Sequence, residues 1–367
     1  MAITAESSSN YNHKMTTNPE QKRILVAPLH WGLGHATRCI PIIKALLEHN
    51  FEPIIASDGA ALDLLKKEFP ILKFFELPSY NISYPKNEKH LKWHFLKSIP
   101  HFLKTIKREK AVVKKIVETE KLTGIISDNR FGVWHNEIPC VYITHQINVL
   151  SGNTTWLTSK IHQNIIAKFD ECWIPDFESK PNLSGKLGHP KAKFPNLKYI
   201  GPLSRFHREM SEETIDKLVI LSGPEPQRSI LEGKLISLLK SKKENIVIVR
   251  GIVEEEQNIT EIKNIKLYNF MTSIELESTI IKSKLVISRS GYTTIMDLAK
   301  LKKKAIFIPT PGQFEQLYLA EYFLKLKIIP SFLQDNITAK DLEWNPNFSG
   351  FKFKESVIDF ENLFSLF

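Results

Sequence analysis

The stretch Leu285-Val-Ile-Ser-Arg-Ser-Gly-Tyr-Thr-Thr-Ile-Met-Asp-Leu-Ala299 constrains this chain more than any other part of it. An apolar run of strand type ends at Ile287, and Ser288, Arg289, Ser290 and Gly291 make a polar turn. Ile295, Leu298 and Ala299 then fall on one helical face. A glycine at a strand-to-helix turn lets main-chain N–H groups approach an anion, and the helix N-terminus favours negative charge. Asp297, about two turns into the helix, carries a carboxylate that can accept hydrogen bonds from ribose hydroxyls. Ile306-Phe-Ile-Pro-Thr-Pro-Gly-Gln-Phe-Glu-Gln316 follows as a second strand ending in a polar loop.

The same alternation runs through the chain. Strands are expected at residues 24–28, 53–56, 72–77, 124–127, 139–144 and 171–174, with helices at 36–48, 60–68, 89–120 and 157–168. Pro100 is expected to break or kink the third of these helices. Residues 199–203 read as the last strand of a first domain passing into a linker. Further strands are expected at 218–222, 245–249, 266–268, 284–287 and 305–308, and a helix at 357–364. Strands alternating with helices argue for parallel sheets covered on both faces. A length of 367 residues suits two such α/β domains. The expected division is a disordered leader over 1–21, a first domain over 22–203, a second over 204–349 and a C-terminal segment with a helix over 350–367.

Charge is uneven. Residues 1–200 hold 27 Lys/Arg against 18 Asp/Glu, a balance of +9, whereas the rest of the chain holds 23 against 22. The first half is therefore the half suited to meet something anionic. No nucleic-acid motif accompanies the charge, so nucleic acid is not expected as a partner. An anionic membrane surface or an acidic acceptor fits better, and general lysine richness remains the plainer explanation. The stretch His90-Leu-Lys-Trp-His-Phe-Leu-Lys-Ser-Ile-Pro-His-Phe-Leu-Lys-Thr-Ile-Lys-Arg108 interleaves lysines with an apolar stripe at helical spacing. Such a helix can lie on an anionic bilayer or pack its stripe into a core. No apolar run approaches the roughly 20 residues of a membrane-spanning helix. The first residues lack the apolar region of a signal peptide. Cys39, Cys140 and Cys172 are scattered, without metal or redox spacing, and read as small buried hydrophobes. The expectation is a cytoplasmic protein, with a peripheral place on the inner face of the membrane as an option.

Several loops carry residues suited to chemistry. After the first strand comes His30-Trp-Gly-Leu-Gly-His-Ala-Thr37. Thr37 stands where a dinucleotide fingerprint has its third glycine, and only Asp58 comes near the ribose-clamp distance, so a nicotinamide site is disfavoured. Gly32 and Gly34 instead open space for an acceptor or a sugar phosphate beside the helix. His35 would face a cleft as a neutral base, or merely cap its own helix. Asp128, ending the strand at 124–127, can orient His35, serve as base itself or start an Asx turn. His145 ends the next strand, as a donor or acceptor contact or as a structural histidine. In the second half, Gly223, Gln227 and Arg228 occupy a β–α turn where main-chain N–H groups and a guanidinium can bind pyrophosphate. Pro224 and Pro226 remove two amide donors from that turn. Arg250 is a candidate nucleotide-edge contact. No DxD or metal-ligand spacing occurs, so no metal is expected.

The segment from Ser288 to Ala320 resembles the C-terminal domain of glycosyltransferase family 28, which includes the peptidoglycan UDP-N-acetylglucosamine transferase and the monogalactosyldiacylglycerol synthases. Ile24-Leu-Val-Ala-Pro-Leu-His-Trp-Gly-Leu-Gly-His-Ala-Thr-Arg38 is similar to that family's glycine-glycine-histidine loop. The resemblance implies the GT-B fold, two Rossmann-like domains facing across a cleft, and a cell-envelope type of hexosyltransferase. It implies a UDP-sugar donor, no obligatory cofactor and a glycan, lipid or small-molecule acceptor. Tyr268-Asn-Phe-Met-Thr272 resembles the segment that cups the base, with main-chain groups near Phe270 reading uracil. By the same resemblance Arg289, Ser290 and Gly291 would hold phosphate, Asp297 the ribose, and Gln313, Glu315 and Gln316 the sugar hydroxyls. His35 would be the base of an inverting transfer, with Asp128 as its partner. Two alternatives stay open. One is a UDP-sugar epimerase or hydrolase of the same fold. The other is a non-catalytic nucleotide-sugar-binding protein.

Overall fold

A computed structural model describes residues 21–80, 91–191, 194, 196–209, 211–252, 254–353 and 356–367, with the main chain alone over 91–99. The expected leader thus lies outside the described residues except for Gln21. So do the first residue of the basic aromatic stretch and the side chains of its next nine.

The first domain is a seven-stranded parallel sheet. Its strands are β1 (Arg23–Pro28), β2 (Glu52–Ser57), β3 (Lys73–Glu76), β4 (Gly124–Asp128), β5 (Cys140–Ile143), β6 (Glu171–Ile174) and β7 (Leu197–Tyr199), in the order β3-β2-β1-β4-β5-β6-β7. Helices α1 (Gly34–Glu48), α2 (Gly59–Glu68), α3 (Leu91–Glu120) and α4 (Thr155–Ile166) connect them. β1 and β4 are buried along nearly their whole length, because helices cover both faces of the sheet. Pro100 lies inside α3, which continues past it as one element. The last strand falls at Leu197–Tyr199, two residues before the expected position, and residues 200–203 are already linker.

The second domain has six strands in the order β10-β11-β9-β8-β12-β13. They are β8 (Ile215–Ile220), β9 (Ile246–Val249), β10 (Ile259–Ile262), β11 (Ile265–Tyr268), β12 (Ser283–Ser288) and β13 (Ala305–Phe307). Helices α5 (Gln227–Leu239), α6 (Ser273–Ile281), α7 (Tyr292–Lys300) and α8 (Phe314–Lys325) cover them. All pairings are parallel except β10 with β11, an edge hairpin. The chain ends in α9 (Phe360–Phe364), shorter than the helix expected over 357–364.

Two features position the site. In each sheet the connections change direction beside the first strand, between β1 and β4 and between β8 and β12. Crevices for ligands form at the carboxyl ends of strands flanking such a switch. The domains also share core. One apolar cluster runs from Ile40 and Ile43 of α1 to Ile295 and Met296 of α7. Gly34 permits a close approach of α1 to α7, since its carbonyl accepts from Thr293 Oγ1 at 3.0 Å and a Cβ on it would lie 2.9 Å from that oxygen.

Candidate functional site

At the first switch point, β1 leads through a loop containing Gly32, with φ +80°, into α1. His35 and Arg38 stand three residues apart on α1 and therefore share a face. β4 pairs with β1 so that Asp128 is level with Pro28, which brings its carboxylate under that face. Asp128 is 0 % exposed. Its Oδ2 accepts from Arg38 Nε at 2.5 Å, and its Oδ1 accepts from Arg38 Nη2. The same Oδ1 lies 2.8 Å from His35 Nδ1, while Arg38 Nη2 lies 2.9 Å from that nitrogen. Burial opposes ionisation of Asp128, but the Arg38 charge, with hydrogen bonds from Arg38 and His35, outweighs it and holds the carboxyl far below the usual carboxylate range. Burial, aided by the charge of Arg38, lowers the pKa of His35 from 6.5 against the pull of Asp128. The His35 side chain is 13 % exposed.

The network continues across the domains. Arg38 Nη1 lies 3.1 Å from His145 Nδ1, and His145 Nε2 lies 2.8 Å from Glu315 Oε1 at the start of α8. Glu315 Oε2 also accepts from Gln146 Nε2 at 2.5 Å. The His145 ring stacks on Tyr292, the first residue of α7, at 4.0 Å between centroids. Tyr292 donates in turn to the Pro175 carbonyl at 2.9 Å. Burial would raise the Glu315 carboxyl, yet His145, through its hydrogen bond, and the charge of Arg38 bring it below its ordinary value. Glu315, expected among sugar contacts, is here committed to the first domain.

The second switch point gathers the other expected residues. Gly223 takes φ +99° in the turn after β8, and Gly291 is the N-cap of α7 with open space where a Cβ would stand. Gln313 is the N-cap of α8. The α7 N-terminus therefore offers main-chain donors toward an open volume. The side chains differ from expectation. Arg289 is 1 % exposed and serves protein acceptors, namely the carbonyls of Ile308, Pro309 and Gln227 and the Gln334 amide oxygen. It braces the loop, and burial lowers its pKa to about 10. Ser290 Oγ donates to the Gln316 carbonyl, and Gln316 Oε1 accepts from Thr310 N. Arg228 is paired with Glu225 and Glu232, and Arg250 with Glu232. Gln227 Oε1 accepts from Gln334 Nε2. The Phe270 carbonyl accepts from Gln257 Nε2 and its amide donates to Asn269 Oδ1, so both main-chain groups are engaged. Asp297 accepts from Ser204 Oγ of the linker at 2.7 Å. Burial pushes its carboxyl up to about 6, against the charge of Arg205.

Arg38, Ser204 and Thr310 are among the participants absent from the sequence reading. Arg38 carried a usable signal, its i+3 spacing from His35. Ser204 and Thr310 carried none, because their neighbours come from distant parts of the chain. Thr310 Oγ1 is buried, has no hydrogen-bond partner, and lies 3.5 Å from where a Cβ on Gly223 would sit. Among the described residues no group of three or more His, Cys, Asp or Glu is placed to hold a metal ion. No helix among them is long and apolar enough to cross a membrane.

Comparison with known proteins bears on the fold and the class of enzyme. Residues 228–345 match the glycosyltransferase family 28 C-terminal domain. A Methanosarcina mazei protein described as an uncharacterized glycosyltransferase is 24 % identical over 313 residues, covering 78 % of this chain and 79 % of its own. The glycotransferase of kitacinnamycin superposes with a TM-score of 0.58 at 11 % identity, over 88 % of this chain and 89 % of its own. The Streptomyces sp. SF2575 glycosyltransferase SsfS6, complexed with thymidine diphosphate, does so at 0.55 and 14 %, over 85 % and 88 %. At these identities the superpositions speak for the fold, while the family match and the relative speak for the class of enzyme. This chain is a glycosyltransferase of the GT-B fold whose C-terminal domain resembles that of family 28.

Proposed function

We propose that the enzyme moves a hexose-type sugar from a nucleotide-sugar, with a UDP-sugar as the expected donor, to an acceptor hydroxyl with inversion, and that His35 is the general base. The observation that carries this reading is the His35–Asp128 pair at the first switch point, set against the α7 N-terminus by the Gly34–Thr293 contact. The donor diphosphate would sit at the main-chain N–H groups that open α7, around Gly291, with Gly223 and Thr310 on the opposite wall. Negative charge grows on the leaving oxygen, and the helix N-terminus is placed to stabilise it. In an inverting displacement the base acts on the face opposite the leaving group, so it comes from across the cleft, where His35 stands. Asp128, fully buried and held by Arg38, suits an orienting role. A nucleoside diphosphate bound to SsfS6 supports a nucleotide-sugar donor on this architecture.

The test is His35→Ala. A positioned general base contributes about 10²–10⁴-fold to rate. Transfer should fall by at least the lower bound while UDP affinity by calorimetry is unchanged. Wild-type transfer by this variant would make His35 a helix-cap residue only. Turnover of UDP-sugars by purified protein without an acceptor would instead favour the epimerase or hydrolase alternative.

A further inference from the structure

Arg38 touches three members of the cluster, Asp128, His145 and His35. Its Nε and Nη2 take the two oxygens of Asp128, its Nη1 reaches His145, and its Nη2 also borders His35. We propose that Arg38 is a positioning residue for transfer, which fixes His35 as the tautomer protonated on Nδ1, so that Nε2 keeps its lone pair for the acceptor hydroxyl. This rests on the reading of His35 as the base.

The argument is one of donors and acceptors. His35 Nδ1 lies nearly as close to Arg38 Nη2 as to Asp128 Oδ1, at 2.9 and 2.8 Å, and can serve only one of them. An ionised carboxylate only accepts, and a guanidinium only donates. Arg38 Nη2 already has an acceptor in Oδ1, whereas Oδ1 and Nδ1 at 2.8 Å form a hydrogen bond only when Nδ1 carries the proton. The proton therefore belongs on Nδ1, directed at Oδ1. The opposite tautomer would leave that oxygen facing a lone pair and turn Nε2 into a donor, useless for accepting a proton.

Charge leads to the same role. The titratable and charged groups facing His35 are Arg38 on its own helix, Asp128 ending β4, His145 after β5 and Glu315 from the second domain. Cys39 borders Asp128 as a thiol, its pKa raised by burial. Without Arg38, the Asp128 carboxylate would act on His35 unopposed by that guanidinium, and the ring would be drawn toward protonation. With it, Asp128 is neutralised where it stands and His35 stays a neutral base. Arg38 Nη1 also donates to His145 Nδ1, which leaves Nε2–H of that ring for Glu315. The tautomer of His145 is thus set by the first domain and read by the second.

The test is nitrogen NMR of the full chain with labelled imidazoles, the His35 signal being assigned by His35→Gln. The wild-type ring should be the neutral tautomer protonated on Nδ1, and the Nε2-protonated form would overturn the proposal. In Arg38→Met the His35 titration should move to higher pH, and Arg38→Lys, which keeps the charge, should return it toward wild type. An unmoved titration in an Arg38→Met protein with unchanged circular dichroism would also overturn it. If Arg38→Met does not fold, the wild-type tautomer and the titration of Arg38→Lys still decide. Transfer surviving in His35→Ala would sink the base assignment alone, because these NMR readings do not depend on turnover.

Discussion

Asp297 lies under the interdomain linker, where Ser204 Oγ fills one of its acceptor positions. Its carboxyl is raised to about 6 from 3.8, burial outweighing Arg205 and Ser204. The sign follows from the linkage between protonation and folding. The folded protein holds this proton more tightly than the unfolded chain, so the resulting stabilisation is full below the unfolded value and is lost as pH rises toward 6. Donor binding should run the other way, since the ionised carboxylate is the better acceptor for ribose hydroxyls. UDP-sugar affinity should therefore rise as pH passes upward through about 6. A UDP-sugar is the right probe because its diphosphate is doubly esterified and does not titrate in this range. Asp297→Asn should flatten the dependence, and a wild-type affinity that is already flat there would remove Asp297 from the ribose site. For His35 the displacement is downward from 6.5, by burial and by Arg38, so the ring stays neutral below the ordinary imidazole range. The acid limb of the rate should accordingly fall below pH 6.5, as a pH–rate profile of transfer would register.

Secondary-structure elements show what was legible in the sequence and what was not. The strands flanking both switch points were readable because burial on both faces makes them continuous apolar runs, as in Leu285-Val-Ile and Leu218-Val-Ile. β10 was not, since Ile259-Thr-Glu-Ile262 is exposed throughout and held only by its hairpin partner. The order of the β–α loops was legible, and with it the placement of His35 and Asp128. The bonding of Arg289, Arg228 and Arg250 was not, because their partners are carbonyls and carboxylates that only the folded chain brings near. The basic stretch divides in a similar way. Phe102 packs on Tyr80 and Phe131, at 4.7 and 5.4 Å between ring centroids, which fits the core-facing reading for that part of α3. Leu103, Lys104 and Lys107 stay exposed. On α4, Trp156 is 78 % exposed, with Leu157 and Ile161 also exposed, and Gly152 just before that helix abuts Phe314 of the second domain. An exposed apolar face of this kind near the cleft, on the domain that carries most of the excess positive charge, supports peripheral contact with an anionic membrane. The protein should pellet with anionic vesicles at low salt and be released at high salt, and Trp156→Ala should weaken the low-salt binding. Absence of binding at low salt would remove the membrane from its partners.

Among the described residues the two domains are joined in several places, including the α1–α7 core beneath the His35–Asp128 cluster and the C-terminal tail. After the second domain is complete, the chain returns to the first. Phe364 of α9 lies edge-on to His49 and Phe51, at 5.5 and 5.6 Å between ring centroids, and near Trp173 of β6. Phe367 approaches the same tryptophan, and its ring fills the space beside Gly124 so closely that a Cβ there would clash with it. Phe364 is 3 % exposed, and it covers part of the first domain's core rather than that of the domain preceding it in sequence. The stability of the first domain therefore depends on residues made after the second, and the two should unfold together. Phe364→Ala removes a buried aromatic group from this junction, a change that typically costs about 3–5 kcal/mol. The wild-type chain should show one denaturant transition by probes in either domain. In the variant, the midpoint reported from the first domain, followed through the fluorescence of Trp173, should move to lower denaturant and separate from that of the second. UDP should still bind below that transition, because the ring contacts of Phe364 and Phe367 are with Phe360 and with first-domain residues, away from the proposed donor site. Coincident transitions with an unchanged midpoint would mean that α9 merely rests on the first domain, and that the α1–α7 core and the other interdomain contacts hold the domains in register without it.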